Sequence, residues 1–174
     1  FNTNKLVLVP AALLVALLSF LGGTKYESQV KDILEQPNIS TSTVQNLPTR
    51  EKVKRVIDGD TIELASGQIV RYVGINAPDS GQPLEEESTE ANAKLVQGKT
   101  VTLEYDTYTS DRFGRVLAYA IVDRKNVSVE LARLGFAKVT IYQDRRKVKY
   151  QDELLKAQNE AKQKKRGIWS DRIN

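Results

Sequence analysis

The distribution of apolar and polar positions divides the chain into three stretches of different character. Residues 6–21 are apolar except for Ser19, with Lys5 ahead and Gly22, Gly23 and Lys25 behind. A positive residue before an apolar run is the layout of a secretory signal or an N-terminal membrane anchor, predicted here for residues 1–23. As a helix, residues 6–23 would span ~27 Å, the short edge of what crosses a bilayer. Pro10 and the lack of an A-x-A site leave cleavage open. Residues 24–50 read as a polar linker. A weak helix over 26–34, with Val30, Ile33 and Leu34 on one stripe, precedes the breaker-rich run around Pro37.

From residue 51 the period shortens. Val53, Val56 and Ile57 open a strand that ends at the turn Asp58-Gly59-Asp60. Residues 61–65 alternate, with Ile62 and Leu64 on one face, and Ser66-Gly67 turns the chain into a third strand over 68–75. Pro83 at a first helical position, Leu84, Ala91 and Leu95 facing inward, and Gly98 as stop predict a helix. Val101, Leu103 and Tyr105 alternate as a fourth strand, and residues 116–122 supply a fifth. Asn126 or Ser128 caps a second helix carrying Val127, Leu131 and Leu134, which stops at Gly135. Residues 136–142 form a short extended piece. A basic helix over 151–165, with Leu154, Leu155 and Ala161 inward, closes the chain before Gly167-Ile168-Trp169. Five short strands with helices between and after them predict an α+β domain over residues 51–172: a five-stranded, partly open β-barrel of the OB type with three packed helices.

Composition narrows the chemistry. The chain has no His and no Cys. Imidazole bases, thiolate nucleophiles, disulfides and His- or Cys-based zinc sites are therefore excluded. Acid–base work falls to Asp, Glu, Lys or Tyr, and any metal site must be built from oxygen, which favours Ca²⁺ or Mg²⁺. The formal net charge of +4 is modest. It is concentrated in residues 145–172, where Lys and Arg dominate, an excess that suits a polyanion and equally a solvated helix face.

Two clusters about fifty residues apart carry candidate chemistry. Asp58 and Asp60 offer hard carboxylate ligands in a turn, followed by Arg71 in an otherwise uncharged strand and by Asn76, Ala77 and Asp79 around Pro78. The second cluster is Asp111-Arg112-Phe113-Gly114-Arg115. Arginines offer planar forks for phosphate, and a glycine before one lets the backbone aim it. Each element has a plainer explanation: turn chemistry for the carboxylates, a snorkelling edge arginine at 71, a hairpin arginine paired with Asp111 at 115. Together they form a kit for attacking a phosphodiester.

The runs Val56-Ile57-Asp58-Gly59-Asp60-Thr61-Ile62, Arg71-Tyr72-Val73-Gly74-Ile75-Asn76-Ala77-Pro78-Asp79, Asp111-Arg112-Phe113-Gly114-Arg115-Val116-Leu117-Ala118-Tyr119 and Gly167-Ile168-Trp169-Ser170 resemble, in order and spacing, the staphylococcal nuclease (thermonuclease) family. The resemblance covers residues 52–172. It implies an OB barrel with three helices and hydrolysis of DNA and RNA with Ca²⁺, Mg²⁺ being the lesser candidate, leaving 3′-phosphate ends. Position by position, Asp60, Asn76 and the carbonyl of Ala77 would hold the cation. Asp79 would orient or activate water, and Arg71 and Arg115 would grip the phosphate. Arg112, Phe113 and Tyr142 are the candidate substrate-binding residues.

Two positions depart from the family pattern. Asn76 stands where the family has a second ligand Asp, which removes one negative charge. Asp79 stands where the family has Glu, which shortens the arm by one methylene. The expectation is a secreted, envelope-bound or membrane-tethered nuclease that acts on single-stranded DNA and RNA as a monomer, touching a membrane only through residues 6–23 if these are uncleaved. The alternative is a barrel that kept the basic face and lost turnover, acting as a nucleic-acid-binding module.

Overall fold

The computed structural model describes residues 47–141 and 146–171. The apolar segment, the linker up to residue 46 and Tyr142 lie outside them. Among the described residues no helix is long and apolar enough to cross a membrane.

The barrel is built from β1 (Arg50–Asp58), β2 (Thr61–Leu64), β3 (Ile69–Tyr72), β5 (Thr100–Glu104) and β6 (Val116–Val122), hydrogen-bonded in the order β3-β2-β1-β5-β6. A parallel pairing of β3 with β6 closes the ring, in the register Val70↔Val116, Arg71↔Leu117, Tyr72↔Ala118. The five-stranded barrel with three helices is thus as the sequence implies, and it is fully closed. Closure removes the exposed edges that an open sheet would carry. β1 serves both neighbours because irregularities near Lys54 and Ile57 shift its register against β2 and bend it. Its alternation is clear: Val53 is buried, whereas Arg50, Lys52 and Lys54 face solvent. Val70, Tyr72, Val101, Leu103 and Ala118 join Val53 in the interior.

The third strand ends earlier than the apolar pattern suggests. Gly74 has φ +80°, and a Cβ there would sit 2.5 Å from Leu154 Cδ1. The chain turns at this glycine, so that β4 (Ile75–Asn76) leaves the barrel and pairs antiparallel with β8 (Lys138–Val139). β7 (Lys125–Asn126) extends β6 as a hairpin.

Helix α1 (Glu85–Val96) begins after Leu84, which takes a left-handed φ of 68°, so Pro83 sits in the preceding turn rather than at the first helical position. The inward face also differs from the apolar expectation. Ser88, Ala91, Asn92 and Val96 are buried, while Leu84 and Leu95 are only partly covered. Ser88 Oγ donates to Phe136 O (2.9 Å), and Asn92 Nδ2 donates to Asp58 O (2.8 Å). Tyr72 Oη donates to Asn92 Oδ1 (3.0 Å). Polar side chains face inward here because they satisfy buried carbonyls that apolar ones would orphan.

Helix α2 (Val127–Leu134) is capped by Asn126, whose side chain accepts from Ser128 N (2.9 Å), and ends at Gly135 with φ +78°. Leu134, expected inside, is 38% exposed because it is the last residue before that reversal. Helix α3 (Gln151–Gln163) buries Leu154, Ala157 and Ala161, one stripe at three- and four-residue spacing. Leu155 lies a step off that stripe and is exposed, which corrects its expected inward placement. A closing 3-10 turn (Gly167–Trp169) docks on the end of α2 through Ile168 N donating to Gly135 O (2.9 Å).

Gly59 lies where α1 presses on the β1–β2 turn: an added Cβ would meet Ser88 Oγ at 2.0 Å and Ala77 Cβ at 2.6 Å. Gly59→Ala is expected to lower unfolding free energy by ~1–3 kcal/mol, the range of core overpacking, in urea titrations at matched m-values. A midpoint equal to wild type would contradict the tight seating of this turn.

Candidate active site

Asp60 is the centre of the site. Its residue is 5% exposed. The turn that carries it is set by Asp58 Oδ1, which accepts from Asp60 N (2.9 Å), a side-chain mimic of a backbone turn. The Asp60 carboxylate accepts from Ala77 N (2.7 Å) and from Thr61 Oγ1 (3.1 Å), and it pairs with Arg71 Nη2 at 2.8 Å. Burial pushes its carboxyl up to about 6, against the downward pull of Arg71 and the Ala77 amide.

Arg71 reaches this centre from β3, where Thr61↔Arg71 are paired across the β2–β3 ladder. Its side chain is 14% exposed. Besides Asp60 it donates through Nη1 to Tyr72 O (2.7 Å) and through Nη2 to Asn76 Oδ1 (2.9 Å). Asn76 Nδ2 in turn donates to Ala77 O (3.1 Å). The four residues Asp60, Arg71, Asn76 and Ala77 thus form one hydrogen-bonded group. The kink at Gly74 brings the last two to it.

Arg115 approaches from the neighbouring strand. Arg115 lies one residue before β6, whose Val116 and Leu117 are level with Val70 and Arg71 across the parallel ladder, so it stands at the start of the strand beside Arg71. Asp111 holds it: the Asp111 carboxylate accepts from Arg115 Nε (2.7 Å), Arg115 N (3.0 Å) and Phe113 N (2.9 Å). Paired in this way with Asp111, the Arg115 side chain is still one-third exposed. Phe113 projects into solvent, 68% exposed, with Arg112 Cζ 4.7 Å and Arg115 Cζ 5.5 Å from its ring centroid. The pair of guanidinium groups stiffens an exposed aromatic face.

Asp79 is exposed on the loop between β4 and α1. Its N–H donates to Gln82 Oε1 (3.1 Å), and its carboxylate accepts from Gln82 Nε2 (3.4 Å). It makes no hydrogen bond to the Asp60 group. Ser88 and Asn92, which fix the turn from behind, carried no signal beyond their polarity within an amphipathic stretch.

No group of three or more carboxylates is clustered among the described residues. The oxygen donors at this point are one carboxylate, one amide oxygen and one backbone carbonyl. Hard oxygen ligands around a buried carboxylate fit a divalent cation, with a low ligand charge.

A family model described as staphylococcal nuclease homologue matches residues 69–171. The chain belongs to the staphylococcal nuclease family. It is 30% identical over 178 residues to a thermonuclease of Staphylococcus hyicus, covering 97% of this chain and 98% of that one. It is 40% identical over 125 residues to an uncharacterized endonuclease of Escherichia coli, with 69% and 76% covered. A thermonuclease of Staphylococcus intermedius is 34% identical over 126 residues, with 67% and 74% covered.

Within this family member, the hold of Asp111 on Arg115 has a pH signature. Burial of Asp111 raises its pKa, but the bonds from Arg115 and Phe113 outweigh that and hold it below the ordinary value of 3.8. A depressed folded pKa stabilises above the unfolded value and the gain is lost as pH falls through the folded one. Asp111→Asn should therefore cost ~1–3 kcal/mol at pH 7, and its gap to wild type should narrow as pH drops below 3.8 in urea titrations. A gap constant with pH would mean that the carboxylate charge contributes nothing.

Proposed function

We propose that this chain is a metal-assisted nuclease that hydrolyses phosphodiester bonds of single-stranded DNA and RNA, with Ca²⁺ as the cation and 3′-phosphate ends as products. The observation that supports the reading is the β3–β6 ladder, which sets Arg115 at the start of the strand next to Arg71, with Arg71 bonded to the buried Asp60. Two guanidinium forks on neighbouring strands suit the charge that gathers on phosphoryl oxygens during in-line attack. Asp60, Asn76 and the Ala77 carbonyl would hold the cation, which when bound supplies charge neutralisation at the phosphate. Asp79, at the solvent side of the same loop, is the carboxylate available to orient or accept a proton from water. Phe113 and Arg112 offer a face and a charge to the nucleotide beside the scissile phosphate.

The apolar run over residues 6–23 supports export, with the enzyme secreted or held at the cell envelope as a monomer. A second reading is favoured by one observation, the amide of Asn76 donating into Ala77 O. A site so occupied suits a slow enzyme or a nucleic-acid-binding module.

Incubation of the 174-residue chain with single-stranded DNA in Ca²⁺, Mg²⁺ or chelator is expected to give Ca²⁺-dependent cleavage with 3′-phosphate ends. Arg71→Gln and Arg115→Ala should each lower kcat/KM by about 10²-fold or more. Intact DNA under all three conditions, or arginine variants at wild-type rate, would transfer the protein to the binding class. Asn76→Asp combined with Asp79→Glu should raise both cation affinity and rate. If neither moves, these two positions do not belong to the site.

A further inference from the structure

The amide of Asn76 is oriented by the chemistry of its neighbours. A guanidinium only donates and a backbone carbonyl only accepts. Oδ1 therefore faces Arg71 Nη2 (2.9 Å) and Nδ2 faces Ala77 O (3.1 Å); the reverse orientation would set donor against donor and acceptor against acceptor. Asn76 itself is exposed, so these bonds are not forced by packing. The same Nη2 pairs with Asp60 Oδ2 (2.8 Å), and Nη1 donates to Tyr72 O (2.7 Å). Arg71 is thus held at three points, one of them supplied by the amide at position 76.

We propose that Asn76 is a positioning residue: it aligns the Arg71 guanidinium for phosphate before any cation is present, and it occupies the Ala77 carbonyl that a cation would use. The inference rests on Arg71 being a phosphate-binding group. An Asp in the same place would accept from Arg71 more strongly, as a charged acceptor, yet it has no N–H for Ala77 O. The amide therefore gives up one cation-binding charge and ties the Ala77 carbonyl to the side chain that holds Arg71. In this chain the phosphate can be gripped first, and the cation must displace the bond between Asn76 Nδ2 and Ala77 O to enter.

The test separates alignment of Arg71 from ligation of the cation. A single-stranded oligodeoxynucleotide with phosphorothioate linkages is titrated into the full chain in chelator at fixed low salt and followed by fluorescence anisotropy. Asn76→Ala is expected to weaken oligonucleotide binding in chelator roughly tenfold, the low end for one lost bond to a charged group. Unchanged oligonucleotide binding overturns the inference. Arg71→Gln in the same anisotropy assay should weaken binding at least as much. If it does not, the arginine grip proposed above fails and the role of Asn76 fails with it, whereas loss in Arg71→Gln without loss in Asn76→Ala sinks only the latter.

Discussion

The organisation of this molecule depends on a carboxylate kept almost out of water. Asp60 is 5% exposed and has its charge met by Arg71, the Ala77 amide and the Thr61 hydroxyl. Burial still outweighs these partners and raises its pKa to about 6. Such a group is stable only where the backbone around it is fixed, since desolvated charge tolerates little error in partner distance. The surrounding architecture supplies that rigidity. Asn92 and Ser88 of α1 bond the carbonyls of Asp58 and Phe136, and Gly59 lets the helix approach the turn to side-chain contact.

Barrel closure does for the arginines what α1 does for Asp60. Arg71 and Arg115 lie on different strands separated by more than forty residues of chain. The parallel β3–β6 ladder is what makes them neighbours. That ladder forms only when the other four pairings are in register, so the closeness of these two segments is a property of the whole ring. The Gly74 kink is a second device of the same kind. It ends β3 at the point where Asn76 and Ala77 must swing toward Asp60.

Membership of the staphylococcal nuclease family accords with this arrangement, and the residue at position 76, where the resemblance implies a carboxylate, shapes it locally. An amide there links the arginine and the Ala77 carbonyl into one network, where a carboxylate would add a negative charge.

Much of the fold was legible from periodicity alone. Alternation at Val53, Ile62, Leu64, Val101 and Leu103 reports the barrel interior, because strand side chains must alternate between core and water. Asn126 and Gly135 mark the ends of α2 through local backbone chemistry. The acidic and basic clusters also named the candidate site, since those residue types carry their chemistry with them. Periodicity failed where burial is decided by a partner that is remote in sequence. Ser88 and Asn92 are inside because distant carbonyls need donors, while Leu134 and Leu155 remain partly exposed because each lies off the stripe the rest of the fold covers. Likewise, only the tertiary structure decided that Arg115, held by Asp111, starts the strand beside Arg71, and that the Asn76 amide is committed at both ends. Local sequence fixes what each residue prefers. Which donor meets which acceptor is set by closing the ring, an event no local window contains.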